Sequence, residues 1–342
     1  MKYSIVSKHR NQIFGVAALL IFYFHLQPLF FQGVPVLQVL ERFTGTQALM
    51  GVDIFVLLSS FGLAHSFEKG NFSWKRYLPK RILRVYPQLL IMQIILVLVM
   101  HQDVWHLLAG VLLIAQPIYG FFVQLWFLPF ILVLYLIAPL YYFGIFRKFR
   151  NQAAGTAGMA LLTVAVILVI RPWVQADWYT CLTRIPIFWL GFLWGYRSVH
   201  DQVRSRRTAW ISFAVMVAAL LLNYLLGRGY ISELIPSQGC LVSQLIAPSL
   251  TALLALAFDR ISRSNRGISR AFLGFLGFYG RISLEFYCVQ ELWHDAVRDL
   301  ALFAPVRAVM PVTVACLILS TVSALVLHWV CNRLTRPLLN RL

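Results

Sequence analysis

Charged side chains are scarce in this chain of 342 residues: they make up 12% of it, whereas hydrophobic residues make up 60%. A soluble globular domain averages about 25% charged residues, so the composition excludes a water-soluble single fold. The chain also lacks the short alternating runs of apolar and polar residues that are typical of barrel strands. A polytopic α-helical membrane protein remains, because helices satisfy their own backbone hydrogen bonds inside hydrocarbon.

Cysteine is also sparse, and its spacing excludes two further classes. The five cysteines are Cys181, Cys240, Cys288, Cys316 and Cys331, and no two of them form a CxxC pair. They lie within or beside apolar runs, so we expect small apolar side chains and neither a disulfide framework nor a metal site.

Long apolar runs account for most of the chain. Ten of them are long enough to cross a bilayer, and they occupy residues 13–31, 48–67, 82–100, 122–143, 155–171, 179–196, 209–226, 243–258, 271–293 and 306–331. No linker rich in Pro, Gly or Ser separates a second domain. The sequence therefore predicts an all-α bundle of ten transmembrane helices that forms a single domain over residues 1–342.

Acidic residues number only 12 against 30 Lys and Arg, and most of the basic residues fall in alternate loops. The positive-inside rule then places both termini in the cytoplasm and predicts contact with phospholipid rather than nucleic acid. An eleventh run, residues 104–119, would reverse that pattern if it crossed, so we expect a re-entrant or interfacial segment on the outer face. Lys2, Lys8 and Arg10 precede the first run without a small-residue cleavage site, which predicts a retained span.

Ionisable side chains inside spans are costly and are therefore functional candidates. His25 ends the first run, where it is either an imidazole that bonds a neighbouring helix or a general base. Asp53 lies at a similar predicted depth in the next span. There it either orients His25, or makes an inter-helix hydrogen bond or caps the start of its helix. Arg184 precedes Pro186, and it either faces a polar cavity at a broken helix or pairs with an acid on another span.

The segment WKRYLPKRILRVYP concentrates positive charge at the start of the third run. If a helix begins after Pro79, two of its cations share one face. Such a cluster suits lipid headgroups or the phosphates of an anionic donor, and the sequence alone does not separate these readings. The cations are Lys75, Arg76, Lys80, Arg81 and Arg84.

Five segments in order resemble those of the membrane-bound acyltransferase family 3, which acylates surface polysaccharides and other envelope molecules. They are GVDIFVLLSSFGL, KRILRVYP, LWFLPFILVLYLIAPL, RIPIFWLGFLWG and LGFYGRISLEFYCVQ. The chain departs from the better-described branch of the family at several positions. The arginine that branch places eleven residues before the first-span histidine is Phe14 here, and Arg10 lies one turn earlier. Paired acids are replaced by Ile131 and Leu132, and a late-span histidine by Gln290, which Glu291 follows.

The resemblance implies an O-acyltransferase in a plasma membrane, of bacterial type, that uses cytoplasmic acetyl-CoA and no metal. His25 would deprotonate a hydroxyl of a surface or lipid-linked glycan, and Asp53 would orient it. Arg10 and the cations from Lys75 to Arg84 would hold the donor. Acceptor-binding residues would be Trp126, Tyr135 and Arg184. The sequence leaves open whether the protein forms a homo-oligomer.

Depth separates the predicted base from the predicted donor site. Residues 10 to 25 of a helix rise about 22 Å, so the pantetheine arm of the donor would thread inward through a tunnel. Two other functions remain open from the sequence. One is a polysaccharide transporter or flippase without acyl-transfer chemistry. The other is a membrane sensor built on an acyltransferase fold.

Overall fold

Helices dominate every part of the chain that the structure describes. This computed structural model describes residues 2–26, 44, 47–70, 72–99, 103–113, 125–175, 178–201, 207–227, 229–232, 238–264, 266–303 and 306–340, without the side chains of 207, 208, 295–303 and 306–310. These ranges contain no β-strand, so the all-α prediction is confirmed for them.

The α-helices of these ranges are numbered here in chain order. They are α1 (Ser4–Lys8), α2 (Arg10–Leu26), α3 (Met50–Glu68), α4 (Trp74–Val99), α5 (Val104–Val111), α6 (Phe127–Gly144), α7 (Gln152–Ile170), α8 (Tyr179–Leu182), α9 (Ile185–Val199), α10 (Arg207–Gly227), α11 (Gln238–Ser262), α12 (Gly267–Arg281), α13 (Ser283–Phe303) and α14 (Val306–Leu339).

Seven helices of the described ranges are long and apolar enough to cross a membrane, and they belong to α3, α4, α6, α7, α10, α11 and α14. The other three predicted spans differ from expectation. The described part of α2 has 17 residues. Helix α9 has 15 residues, because it begins only after Arg184. The predicted span 271–293 is divided at Ile282 between α12 and α13. The count of ten and the side on which each terminus lies stay predictions.

The segment expected on the outer face begins with a short helix. In α5, Asp103 caps the first turn by accepting a hydrogen bond from the backbone N–H of His106 at 2.9 Å. The eight residues of α5 rise only about 12 Å, which is far less than the thickness of a bilayer core. The described half of this segment therefore does not cross, and residues 114–119 lie outside the described ranges.

The chain divides into two compact units. The first comprises Met1–Ile21, Phe43–Asn71 and Ala138–Arg281, and the second comprises Phe22–Arg42, Phe72–Ile137 and Ile282–Leu342. All five cysteines lie in described ranges, where they are buried, as the sequence predicts, and none forms a disulfide.

Helices α3 and α9 form the centre of the first unit, and two glycines let them approach closely. A Cβ atom on Gly195 would lie 2.5 Å from the carbonyl oxygen of Phe61, and one on Gly191 would clash with Ser60. Gly191 and Gly195 are four positions apart, about one helical turn, so both face α3. This GxxxG spacing is typical of helices that pack backbone to backbone in membranes. It places the start of α9, where Arg184 lies, beside the first turns of α3.

In the second unit, α13 packs against α14 and α4, and α4 packs against α5. The Tyr86 hydroxyl of α4 donates to the carbonyl oxygen of Val111 at 2.8 Å, which fastens the short helix to the long one. The Trp293 indole N–H donates to Ser323 Oγ at 3.0 Å across α13 and α14. Helix α13 therefore lies against both α4 and α14, and the side chain of Trp293 is fixed by its hydrogen bond to α14.

Candidate active site

His25 lies near the end of α2, where two consecutive residues of α13 contact its ring. The amide nitrogen of Gln290 is 3.3 Å from His25 Nδ1, and the carboxylate oxygen Oε1 of Glu291 is 3.5 Å from His25 Nε2. The His25 side chain is 25% exposed, so the imidazole is largely enclosed. A neutral imidazole held in this way has one nitrogen lone pair that can take a proton from a hydroxyl.

Aromatic packing explains why α13 presents these residues to α2. Phe286, Gln290 and His294 are spaced by four residues, so they lie on one face of the helix. The Phe22 ring lies 5.6 Å from the Phe286 ring and 4.9 Å from the His294 ring, measured between centroids. His25, one turn beyond Phe22, then reaches the same face, and its ring centroid is 5.6 Å from that of His294.

The basic segment begins within helix α4 rather than in a loop. The helix starts at Trp74 and continues through Pro79, so the predicted cations lie on its first three turns. Arg81 is partly buried, and its guanidinium carbon lies 5.5 Å from the Tyr77 ring centroid and 5.7 Å from that of Tyr135. The Tyr77 hydroxyl also donates to the carbonyl oxygen of Tyr135 at 2.9 Å. The other four cations are exposed, and they are Lys75, Arg76, Lys80 and Arg84.

A chain of hydrogen bonds begins on α4 beyond the basic residues and runs across α13 to α14. Gln88 lies one turn beyond Arg84, and its amide donates to Glu285 Oε1 at 3.2 Å. The same oxygen lies 3.0 Å from Nδ1 of His328, whose Nε2 lies 2.8 Å from the amide of Asn332. Glu285 is therefore a carboxylate of α13 that binds α4 and α14.

In the first unit, a buried ion pair joins α3 to the start of α9. Arg184 Nε lies 3.4 Å from Asp53 Oδ1, and neither side chain is exposed. The Ser243 hydroxyl of α11 donates to the other carboxylate oxygen of Asp53. Arg184 thus pairs with an acid on another helix, which is one of the two arrangements that the sequence left open for it. Asp53 makes bonds to two other helices, through Arg184 and Ser243.

Arg10 also lies in the first unit, at the first residue of α2. Its Nη2 donates to the carbonyl oxygen of Leu58 at 3.2 Å, and its guanidinium lies 5.0 Å from the Phe14 ring centroid. A Cβ atom on Gly62 would lie 2.6 Å from Nη2, so the glycine provides the space that the guanidinium occupies. Arg10 is thereby held against one turn of α3.

The match to a family model decides what kind of protein carries these clusters. The model, described as an acyltransferase domain, matches residues 15–329. The chain belongs to acyltransferase family 3. No curated protein and no solved structure matches it. Family membership, together with seven helices suited to spanning, makes this a multi-pass membrane acyltransferase.

For this acyltransferase, the structure brings two pairs of the predicted site residues together. Arg81 meets Tyr135 in the second unit, and Asp53 meets Arg184 in the first. Trp126 is half-buried beside Phe127 and Phe130, with ring centroids at 6.0 Å and 6.2 Å. His25 and Asp53 belong to different units, so the orienting role predicted for Asp53 stays a prediction.

Sequence reasoning missed three residues of these clusters. His294 directly follows the predicted span 271–293, His328 lies within the predicted span 306–331, and Tyr77 lies between cations of the basic segment. A helical signal could have found His294, because it follows Gln290 by four residues on the face that carries Phe286. No local signal identifies His328, whose partner Glu285 is 43 residues away.

Proposed function

We propose that this acyltransferase moves an acetyl or other short acyl group from cytoplasmic acetyl-CoA to a hydroxyl of a surface or lipid-linked glycan, with His25 as general base. One observation carries the proposal: the imidazole of His25 is enclosed by polar groups of α13 while a quarter of its surface is still exposed.

The reaction needs few groups. The acceptor hydroxyl gives its proton to His25 as its oxygen bonds to the thioester carbonyl carbon. The carbon–sulfur bond then breaks, and the imidazolium returns the proton to the departing thiolate. A hydrogen-bond donor near the carbonyl oxygen would stabilise the charge that develops there.

The donor would be held at the basic end of α4. Arg81 is held against two tyrosine rings. Because its conformation is already restricted, the guanidinium loses less conformational entropy when it binds a phosphate. Guanidinium groups bind phosphate oxygens through paired N–H donors, so arginines suit the pyrophosphate of coenzyme A. This arrangement favours the donor-binding reading of the cluster, and it requires the predicted tunnel for the pantetheine arm.

The test uses the purified full chain in lipid nanodiscs with acetyl-CoA and an isolated envelope glycan. Release of free thiol and gain of acetyl mass on the glycan are measured for the wild type and for His25→Ala and His25→Gln. We expect both variants to lose at least about 10²-fold in kcat, as removal of a general base does. Size-exclusion profile and thermal midpoint check that the variants are folded.

A wild-type preparation that moves glycan but never releases thiol would support the transporter alternative. Thiol release by His25→Ala at the wild-type rate would overturn His25 as the base. Acetyl-CoA binding without turnover, with every glycan acceptor supplied, would favour the sensor alternative.

A further inference from the structure

We infer that Nδ1 is the reacting nitrogen of His25 and that Glu291 is the positioning residue that makes it so. This inference rests on the proposed function, because it concerns the same imidazole. Glu291 follows Gln290, the residue that stands in place of the late-span histidine of the family's better-described branch.

The contacts of the ring fix the position of its proton. A carboxylate can only accept hydrogen bonds, and a neutral imidazole carries one N–H donor and one lone-pair acceptor. Nε2 faces Glu291 Oε1 at 3.5 Å, so Nε2 carries the proton. Nδ1 then holds the lone pair, which agrees with the amide nitrogen of Gln290 at 3.3 Å, since that group donates.

Glu291 then acts on the reaction through His25. When Nδ1 takes the proton of the acceptor hydroxyl, the ring becomes an imidazolium, and the negative charge beside Nε2 stabilises it. The separation of 3.5 Å is longer than a full hydrogen bond, and catalytic contacts of this kind commonly shorten when substrate binds. Glu291 itself does not touch the reacting atoms.

The Gln290 side chain is completely buried, so it has to move before the acceptor can reach Nδ1. Its amide occupies the lone pair of Nδ1, so the hydroxyl has to replace it before proton transfer begins. After transfer, the proton passes from Nδ1 to the thiolate, while the acyl carbon keeps its new bond to the acceptor oxygen. The step is balanced by the acyl thioester and the alcohol alone.

The chain offers a matched control for Glu291. Glu285 is a second carboxylate of α13, and its hydrogen-bond partners are Gln88 and His328 rather than His25. A glutamine at 285 can still accept both hydrogen bonds through its carbonyl oxygen. Glu285→Gln therefore removes one charge from the same helix without touching the imidazole of His25.

The experiment measures kcat and the acetyl-CoA KM for Glu291→Gln, Glu291→Asp and Glu285→Gln. We expect Glu291→Gln to lower kcat by about 10²-fold or more while KM changes by less than about threefold. Glu291→Asp should recover at least about a tenth of wild-type kcat, and Glu285→Gln should stay within about twofold of it. Wild-type kcat in Glu291→Gln, or an equal loss in Glu285→Gln, overturns the inference.

A second measurement does not depend on any variant of Glu291. In wild-type protein labelled with ¹⁵N-histidine, the His25 signals are assigned by their loss in His25→Gln. We expect a protonated Nε2 and an unprotonated Nδ1; the opposite tautomer overturns the inference even if Glu291→Gln does not fold. The proposed function fails separately, if His25→Ala retains thiol release.

Discussion

The guanidinium of Arg184 lies 3.4 Å from the carboxylate of Asp53, and both side chains are completely buried. Their proximity follows from the close packing of α3 and α9, which brings the first turn of α9 to the start of α3. In such surroundings each charge depends on the other, since removing one leaves a buried charge without compensation.

Arg184→Met should therefore destabilise the protein strongly. We expect a loss of about 3–5 kcal/mol in the free energy of unfolding, because the buried carboxyl of Asp53 loses the cation that compensates its charge. Asp53→Leu should have a similar cost. The double variant should cost much less than the sum, since two apolar side chains leave no charge behind. Denaturant unfolding in nanodiscs measures all three, and additive losses would show that the pair is not coupled.

The same double variant tests the catalytic role predicted for Asp53. If it folds and transfers acyl groups at the wild-type kcat, Asp53 has a structural role alone. If it folds and loses about 10²-fold or more in kcat, the pair contributes to catalysis, through an orienting Asp53 or through an acceptor-binding Arg184. Thermal midpoints of the double variant and wild type establish that the folded fractions are equal at the assay temperature.

Gly62 controls the position of Arg10, and this gives a test of Arg10 as a donor ligand. A methyl group on Gly62 would lie 2.6 Å from Nη2 of Arg10, at the mobile end of that side chain. Gly62→Ala should thus displace the guanidinium without unfolding α3. We expect the acetyl-CoA KM to rise about tenfold, as for Arg10→Ala, because a charge-assisted hydrogen bond is lost.

Gly158→Ala is the matched control, because a Cβ atom there meets no other atom within 4 Å. It should leave the acetyl-CoA KM unchanged. An unchanged KM in both Gly62→Ala and Arg10→Ala would remove Arg10 from the donor site.

Sequence patterns predicted the helices and the chemistry of single residues better than they predicted partners. Hydropathy predicted the seven helices that are suited to spanning, because burial in lipid acts on each run independently. Partners depend on helix packing between distant parts of the chain. Asp53 was expected to serve His25, yet its described bonds are to Arg184 and Ser243, which lie far along the sequence. Glu291 was visible in the sequence, but its place beside His25 required the structure.

Arg81 provides the test that separates donor phosphates from lipid headgroups. S-acetyl-pantetheine carries the same thioester as acetyl-CoA but lacks the nucleotide and its phosphates. Arg81→Gln should raise the acetyl-CoA KM about tenfold, since a charge-assisted contact is lost, and should leave the S-acetyl-pantetheine KM unchanged. Steady-state thiol release measures both. Arg150→Gln, which removes an exposed cation from the loop before α7, should change neither.

If the cluster binds lipid headgroups instead, Arg81→Gln should affect both donors equally or affect neither. In that case, the variant should also bind anionic vesicles more weakly in detergent-exchange assays. A loss confined to acetyl-CoA contradicts the lipid reading.

Packing at Gly195 should control stability and the buried ion pair together. Its hypothetical Cβ lies 2.5 Å from a carbonyl oxygen and 2.6 Å from Ala64 Cβ, and neither α3 backbone nor a methyl group can rotate away. Gly195→Leu should therefore separate α3 from α9 and destabilise the protein by about 1–3 kcal/mol through overpacking. Because the ion pair joins the same two helices, Gly195→Leu and Arg184→Met should be less than additive in the free energy of unfolding.

Gly274→Leu on α12 is the control, since a Cβ there meets nothing within 4 Å. Equal losses in Gly195→Leu and Gly274→Leu would mean that the close approach of α3 and α9 does not limit stability.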